Sequence, residues 1–324
     1  MSTVLAGFEE CIAPQLAAVD RLFKQELQTN LGCVNSLVRH VGRFRGKMLR
    51  PTLLLLSGKS VGELNDSHVV LATVVEMVHM ATLVHDDVLD EAELRRKGAT
   101  INHLRGNEAA VLLGDYLISH SYHLCSSLDS QWASRVIAAT TNRVCEGELL
   151  QIENRNNLEL DEETYLQIIE RKTASLCAAC CLLGAKLSGA DEGVCRRLET
   201  YGLALGSAFQ IQDDLLDILG DAATVGKTLG SDIQKGKLTL PMIHFLRSAP
   251  REHRTLLRSL LEGRDADKVE RICNLILPSK SVQYARQKAQ ELADRAGAAL
   301  ADLADSQPRR ILQQMAQFVV SRHI

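Results

Sequence analysis

Two short clusters of aspartate residues carry the clearest chemical signal in the sequence. The first reads D-D-V-L-D at residues 86–90 and the second reads D-D-L-L-D at residues 213–217. On a helix, the first and last aspartates of each cluster share one face, where like charges repel. Such carboxylate pairs among apolar neighbours need a cation, and oxygen-only ligands suit Mg²⁺. The candidate metal ligands are Asp86, Asp87, Asp90, Asp213, Asp214 and Asp217.

Basic residues gather in four places along the chain, and each group alone is typical of surface charge. A solvated helix face would likewise explain one acidic cluster, but it explains two copies poorly. Combined, the two sets predict a polyanion site, because arginine and lysine bind phosphate while a metal bridges carboxylate to phosphate. The basic residues are Arg43, Arg45, Lys47 and Arg50; Arg95, Arg96 and Lys97; Lys172; and Lys227, Lys235 and Lys237.

Long helices must position these residues. The chain has 324 residues, 46% of them hydrophobic, and none of its 6 prolines lies between Thr52 and Leu240. Such a run argues against a turn-rich β-sandwich. The 3.6-residue period after Asp66 indicates a helix. We expect an all-α fold, a single domain over residues 1–324, with loops at residues 94–102 and 221–237. Helices are predicted at residues 2–28, 66–93, 107–127, 130–153, 161–187, 192–219, 238–246, 268–275, 279–304 and 309–321.

Composition excludes several other classes of protein. A net charge of −3 gives no reason to expect nucleic acid as a partner. The chain contains no run of about 18 uninterrupted apolar residues, so we expect no transmembrane span. The first residues lack the basic patch and apolar core of a signal peptide. The 9 cysteines are odd in number and favour free thiols in the cytoplasm.

Three competing motifs are incomplete. Residues 220–228 nearly spell a phosphate-binding Walker A loop, but the first glycine is one residue too early and no strand precedes it. Glu76-x-x-His79 lacks the second such pair that a di-metal helical bundle needs. Cys177-x-x-Cys180-Cys181 lacks a second cysteine or histidine pair, so packing of small residues in a helix explains these thiols better.

The motifs and their order resemble those of the trans-isoprenyl diphosphate synthases, in particular the medium- and long-chain type. The resemblance covers nearly the whole chain. It departs from the family at Arg45, which replaces a glycine, at residues 97–99, where a glycine and a proline are usual, and at Arg105, where a tryptophan is usual. The matching segments are residues 46–51, 76–96, 106–117, 146–151, 172–174, 209–214, 226–232 and 236–241.

The resemblance implies a helical bundle around a central cavity, a homodimer and several Mg²⁺ ions per active site. It implies prenyl transfer: the allylic diphosphate ionises, isopentenyl diphosphate attacks the cation, and a proton is lost to the departing diphosphate. It also implies a transient membrane contact for product release. Lys47, Arg50, His79 and Arg96 would bind isopentenyl diphosphate. Arg95, Lys172, Thr173, Gln210, Lys227 and Lys237 would bind the allylic diphosphate or line the reacting centre.

Small side chains before the first acidic cluster predict the product length. One helical turn spans about 6 Å, close to one isoprene unit, so a growing chain would pass Val75, Val78, Ala81 and Thr82. Short-chain members of the family carry an aromatic residue there. These small side chains would leave room for a growing chain. We therefore expect a medium- or long-chain product, of about C30–C50. The alternatives are a short-chain synthase, a class I terpene cyclase and a subunit of a heteromeric prenyl synthase.

Overall fold

The structure is a computed structural model that describes residues 10–42, 46, 48–95, 98–219, 230–263 and 265–321. These residues are almost entirely helical, as the sequence predicts. The helices are α1 (Ala13–Glu26), α2 (Gly32–Gly42), α3 (Leu49–Val61), α4 (Asp66–Leu89), α5 (Ile101–Arg105), α6 (Asn107–Ser126), α7 (Gln131–Glu153), α8 (Glu162–Ile169), α9 (Ser175–Leu187), α10 (Glu192–Leu219), α11 (Ser231–Gln234), α12 (Leu240–Ser248), α13 (Arg251–Glu262), α14 (Lys268–Ile276), α15 (Lys280–Ala299) and α16 (Gln307–Val320).

The chain divides into two compact units. The first comprises the described residues of Met1–Thr141, Leu176–Glu199 and Leu300–Leu312. The second comprises those of Asn142–Ser175, Thr200–Ala299 and Gln313–Ile324. The single domain over residues 1–324 that the sequence predicts stays a prediction.

Helix α4 is the centre of the first unit. It packs against α1, α3 and α6, and most of its residues from Leu71 to Ala81 are buried. His68 fixes its N-terminus: His68 Nδ1 accepts a hydrogen bond from the Asn65 amide at 3.0 Å, so Nε2 carries the proton and donates to Ser188 Oγ at 2.9 Å. Burial lowers the pKa of this histidine. The start of α4 is thereby held against the end of α9.

A short β-hairpin follows α4, within the segment that the sequence predicts to be a loop. Strand β1 (Leu94–Arg95) pairs antiparallel with β2 (Gly98–Ala99), with Leu94 opposite Ala99. Thr100 then caps α5, its Oγ1 accepting a hydrogen bond from the His103 amide. The hairpin keeps the residues after the first acidic cluster close to the end of α4.

The second unit has its own apolar core, formed chiefly by α8, α10 and α12–α15. Asp161, where the sequence predicts this helix to begin, caps α8 by accepting a hydrogen bond from the Thr164 amide at 2.8 Å. The helix predicted at residues 161–187 is interrupted, because Glu170–Ala174 form one π-helical turn. Such turns often occur at functional sites, and this one contains Lys172 and Thr173.

The structure bears on two expectations from composition, the free cysteine thiols and the lack of a transmembrane span. All 9 cysteines are free, as predicted. Helix α4 is apolar and long enough to cross a membrane, with a mean hydropathy of 1.6 over its best 18-residue window. The sequence argument missed it because it counted only uninterrupted apolar residues. Because 67% of that window is buried within the protein, α4 has the burial of a core helix.

Candidate active site

The first acidic cluster lies at the C-terminal end of α4. The helix ends at Leu89, and the amide of Asp90 donates to the Asp86 carbonyl oxygen at 2.9 Å, so the two carboxylates are one turn apart. Both side chains are half-buried. The C-terminal end of a helix carries partial negative charge, which disfavours carboxylates there. A bound cation would relieve both the pair repulsion and this unfavourable dipole.

Asp87 has a different environment from its two neighbours in the motif. It is buried, and its Oδ1 accepts hydrogen bonds from Arg95 Nε at 2.8 Å and Arg95 Nη2 at 2.7 Å. Its carbonyl oxygen accepts a further bond from the Ala92 amide at 2.9 Å. Asp87 therefore supports the hairpin and orients Arg95.

Two of the residues predicted to bind isopentenyl diphosphate, Arg50 and His79, belong to the first unit. Arg50 lies in the first turn of α3 and is half-buried, as is His79 on α4, two turns before Asp86. Lys47 and Arg96 lie outside the described residues, as does Lys227 of the allylic set.

The buried thiols of Cys177 and Cys180 have pKa values raised by burial, and that of Cys181 rises to about 12. They stay protonated, which supports their role in helix packing.

The second acidic cluster lies on α10, near a cavity of about 100 Å³ in the second unit. Asp213 is half-buried, whereas Asp214 is buried and lines the cavity. Burial raises the pKa of the Asp214 carboxyl well above its ordinary value, and the negative charge of Asp232 adds to this effect. Asp214 therefore needs hydrogen-bond donors to remain charged.

A chain of hydrogen bonds supplies those donors. Tyr165 donates its hydroxyl to Asp214 Oδ2 at 2.7 Å, and Gln210 Nε2 donates to Asp214 Oδ1 at 2.8 Å. Thr173 Oγ1 donates in turn to Gln210 Oε1 at 3.0 Å. The structure thus joins the predicted residues Thr173, Gln210 and Asp214 into one network. Tyr165 was missed, since an isolated tyrosine on an apolar helix gives no sequence signal.

Lys172 is held on another wall of the same cavity. Its Nζ forms an ion pair with Glu148 and donates to Gln151 Oε1 at 3.0 Å. Both partners lie on α7 three residues apart, a spacing that places them on one helix face and could have indicated their joint role. A side chain at Gly147 would meet the Lys172 amide nitrogen at 2.5 Å, so glycine there lets α7 approach the π-helical turn.

Asp217 and Lys237 complete the second unit's candidate residues. The Asp217 carboxylate accepts the amides of Ser231 at 3.2 Å and Asp232 at 3.0 Å, and so caps α11. Lys237 lines the cavity with Lys172, and its amide donates to the Asp232 carbonyl oxygen at 2.9 Å. Asp217 thus positions the segment that carries Asp232 and Lys237, in line with a supporting role.

The acidic clusters supply the kind of donor that Mg²⁺ requires. In the described part of the chain, no three His, Cys, Asp or Glu side chains are gathered closely enough to hold a metal by themselves. Mg²⁺ is usually bound through one or two carboxylates, with water and substrate phosphate completing an oxygen shell. The half-buried pair Asp86 and Asp90, and Asp213, are oxygen donors of this kind. The residues fit Mg²⁺.

Comparisons with known proteins agree on one family. Residues 33–276 match the model of the polyprenyl synthetase family. The chain is 35% identical to octaprenyl diphosphate synthase of Escherichia coli strain K12, over 98% of this chain and 99% of that protein. A crystal structure of decaprenyl diphosphate synthase from Rhodobacter capsulatus matches with a TM-score of 0.92 and 35% identity, covering 98% of each chain. Polyprenyl synthase from Caulobacter crescentus, solved with calcium and isoprenyl diphosphate, also matches with a TM-score of 0.92, at 34% identity and 98% coverage of each chain.

Proposed function

The chain belongs to the polyprenyl synthetase family and is a prenyltransferase, and we propose that it makes a medium- or long-chain all-trans polyprenyl diphosphate. It adds isopentenyl diphosphate units to an allylic diphosphate. The observation that carries the proposal is the cavity of the second unit, where Lys172 and Lys237 lie with Thr173, Gln210 and Asp214. Two lysines beside a polar network suit a diphosphate whose reacting carbon becomes cationic.

The candidate residues of the two units have separate tasks in this mechanism. Asp86, Asp90 and Asp213 would hold Mg²⁺, which when bound neutralises diphosphate charge and assists its departure. Lys172, Lys237 and Arg95 donate hydrogen bonds to the allylic diphosphate, and Lys227 joins them. Lys47, Arg50, His79 and Arg96 hold the diphosphate of the second substrate. Lys172 already has Glu148 and Gln151 as partners, so it reaches the substrate preorganised.

The bond changes balance without a side-chain base. The allylic carbon–oxygen bond breaks and its electron pair leaves with diphosphate. The double bond of isopentenyl diphosphate supplies the pair for the new carbon–carbon bond. A proton then passes to the departing diphosphate and leaves a new double bond. Thr173 and Gln210 line the reacting centre, where water must be excluded because it would capture the cation.

Assembly and location belong to the same proposal. A homodimer is supported by α6, which exposes Leu112 at 67%, Val111 at 42% and Tyr122 at 39%. Large apolar residues gathered on one helix are typical of a surface that a partner covers. Sedimentation of the full chain tests this, and a monomer at micromolar concentration would contradict it. Free cysteines support a cytoplasmic location.

The assay that tests the function reads the product directly. Purified protein is incubated with isopentenyl diphosphate, farnesyl diphosphate and Mg²⁺, and the products are separated by chain length. We expect elongation past C20, which a short-chain synthase would not give. A cyclic hydrocarbon would indicate a terpene cyclase, and no product from the chain alone would indicate a subunit of a heteromeric enzyme.

Removal of one metal-binding carboxylate gives the matched test. Asp86→Ala and Asp213→Ala should each lower kcat by roughly 10³-fold or more, the scale of losing a main electrostatic stabiliser. The melting temperature should hold, because each change removes like-charge repulsion. Asp302→Ala, at an exposed acidic residue, is the control. Near-parental turnover in either motif variant with Mg²⁺ present would refute the metal assignment.

A further inference from the structure

A second cavity lies in the first unit, and none of the residues that line it is assigned to the candidate active site above. It has a volume of about 320 Å³ and is bordered by α2 and α5. Its polar wall consists of Ser36, Arg39, His40 and Arg105. His40 Nε2 donates to the Ala99 carbonyl oxygen at 2.7 Å, which ties α2 to strand β2. We call this cavity the Arg39–Arg105 groove.

The described residues do not balance the charge of the two arginines in the groove. Arg39 and Arg105 are exposed, and among the described residues neither guanidinium has an ion-pair or hydrogen-bond partner. The described residues that line the groove include no carboxylate. Two guanidinium groups on one cavity repel each other, and an anion between them would remove that repulsion and accept their hydrogen bonds. Arg105 also stands where the resemblance leads one to expect tryptophan, so this charge is a feature of this chain.

The remaining wall is apolar. Leu104 is 48% exposed, Leu37 is half-buried, and Ile101 is buried beneath them. Exposed leucine beside arginine favours a ligand that has both a charged head and an apolar body, because the body removes apolar surface from water. Inorganic phosphate would use only the arginines.

We propose that the Arg39–Arg105 groove binds a phosphate-headed amphiphile, with the phosphate between Arg39 and Arg105 and the apolar chain against Leu104 and Leu37. The phosphate can belong to a free prenyl or alkyl phosphate or to a membrane lipid, which share this chemistry. The groove binds its ligand without a metal. It is independent of the prenyl-transfer function proposed above.

The experiment measures binding to the full chain in EDTA, with octyl phosphate as the probe in a titration calorimeter. Arg39→Ala and Arg105→Ala should each weaken binding roughly tenfold or more, which corresponds to the loss of a charge-assisted contact. Arg135→Ala removes an equal charge from an exposed site on α7 and should bind as the parent does. Inorganic phosphate should bind more weakly than octyl phosphate, since it lacks the apolar body.

A second arm identifies the source of the phosphate. Vesicles of phosphatidylglycerol and phosphatidylcholine are sedimented with the parent and the same three variants. Losses confined to Arg39→Ala and Arg105→Ala support the proposal, and the arm in which they occur shows whether a free amphiphile or a lipid headgroup is bound. Parental binding by both variants in both arms, or an equal loss in Arg135→Ala, would overturn it. Prenyl-transfer turnover should be unchanged in all three variants. If the full chain shows no prenyl-transfer activity, the binding result still stands, because the groove is independent of that function.

Discussion

At the scale of single residues, the three aspartates of one motif differ in what surrounds them. Asp87 is buried against Arg95, whereas Asp86 and Asp90 keep part of their surface exposed. In the second motif Asp214 is buried beside Tyr165, and Asp217 caps α11. Sequence spacing could identify the motifs but not the burial and partners of each aspartate, because these depend on packing with elements distant in sequence.

Removing the Tyr165 hydroxyl tests the network around Asp214. Tyr165→Phe keeps the ring but deprives a buried carboxyl of a donor at 2.7 Å, which should cost about 1–3 kcal/mol of unfolding free energy. It should also lower kcat, because Asp214 adjoins the metal candidate Asp213. Urea denaturation and steady-state kinetics measure the two effects.

Tyr284→Phe provides the matched control for that substitution. Tyr284 donates its hydroxyl to Glu162 Oε2 at 2.6 Å, and both side chains are half-buried and are not among the residues that line the cavity. Water can replace this bond, so stability should change by less than about 1 kcal/mol and kcat should hold. Equal effects from both substitutions would mean that Asp214 does not depend on Tyr165.

At the scale of elements, the fit between α7 and the π-helical turn depends on Gly147. A Cβ there would lie 2.5 Å from the backbone amide nitrogen of Lys172 and 2.8 Å from Arg171 Cβ, so the π-helical turn must shift. Gly147→Ala should destabilise the protein by about 1–3 kcal/mol and raise KM for the allylic substrate by displacing Lys172. Thermal unfolding and kinetics with varied allylic diphosphate provide the readouts.

The control glycine lies on another helix. An added Cβ at Gly297, in α15, meets no atom within 4 Å. Gly297→Ala should therefore stabilise the protein by about 0.5–1 kcal/mol, since alanine is the better helix former. If Gly147→Ala behaves like Gly297→Ala, the close approach of α7 is not needed to place Lys172.

The junction of α4 with α9 should respond to pH through His68. Burial lowers its pKa below the ordinary value of 6.5, so the unfolded chain binds more protons than the folded one as pH falls below 6.5. Stability should then decrease from pH 7 downward, until pH reaches the folded-state pKa. His68→Gln should flatten this part of the pH dependence in denaturant unfolding, whereas exposed His253→Gln should not. An unchanged slope in His68→Gln would contradict the assignment.

Periodicity predicted most of the long helices but missed several elements for physical reasons. Helix α3 is buried on nearly all sides, so it has no amphipathic stripe. In the sequence, Pro51 in its first turn is easily mistaken for a residue that ends a helix. The π-helical turn at Glu170–Ala174 has no sequence signal in its own residues, and it lies against α7 where Gly147 allows a close approach. The β1–β2 hairpin has only two residues per strand, too few for an alternating pattern.

At the scale of the whole molecule, we propose that product length is set by how far a growing chain can run beside α4. Val75, Val78 and Ala81 are all fully buried in the first unit, and Thr82 is half-buried. Burial alone fits both a tunnel wall and ordinary helix packing. A substitution that fills space separates them, because a tunnel has room for a larger side chain and a packed core does not.

Ala81→Phe makes that distinction with two measurements on one variant. If the chain passes Ala81, the ring enters the tunnel, the melting temperature changes little, and the product shortens to about C15–C20, since the ring lies roughly one helical turn below Asp86. The first condensation should stay fast, because the diphosphate sites are untouched. If Ala81 is only a packing residue, overpacking should cost about 1–3 kcal/mol and the product should keep its parental length. An unchanged product from a destabilised variant would therefore place the tunnel elsewhere and remove the basis for predicting a long chain from residues 75–82.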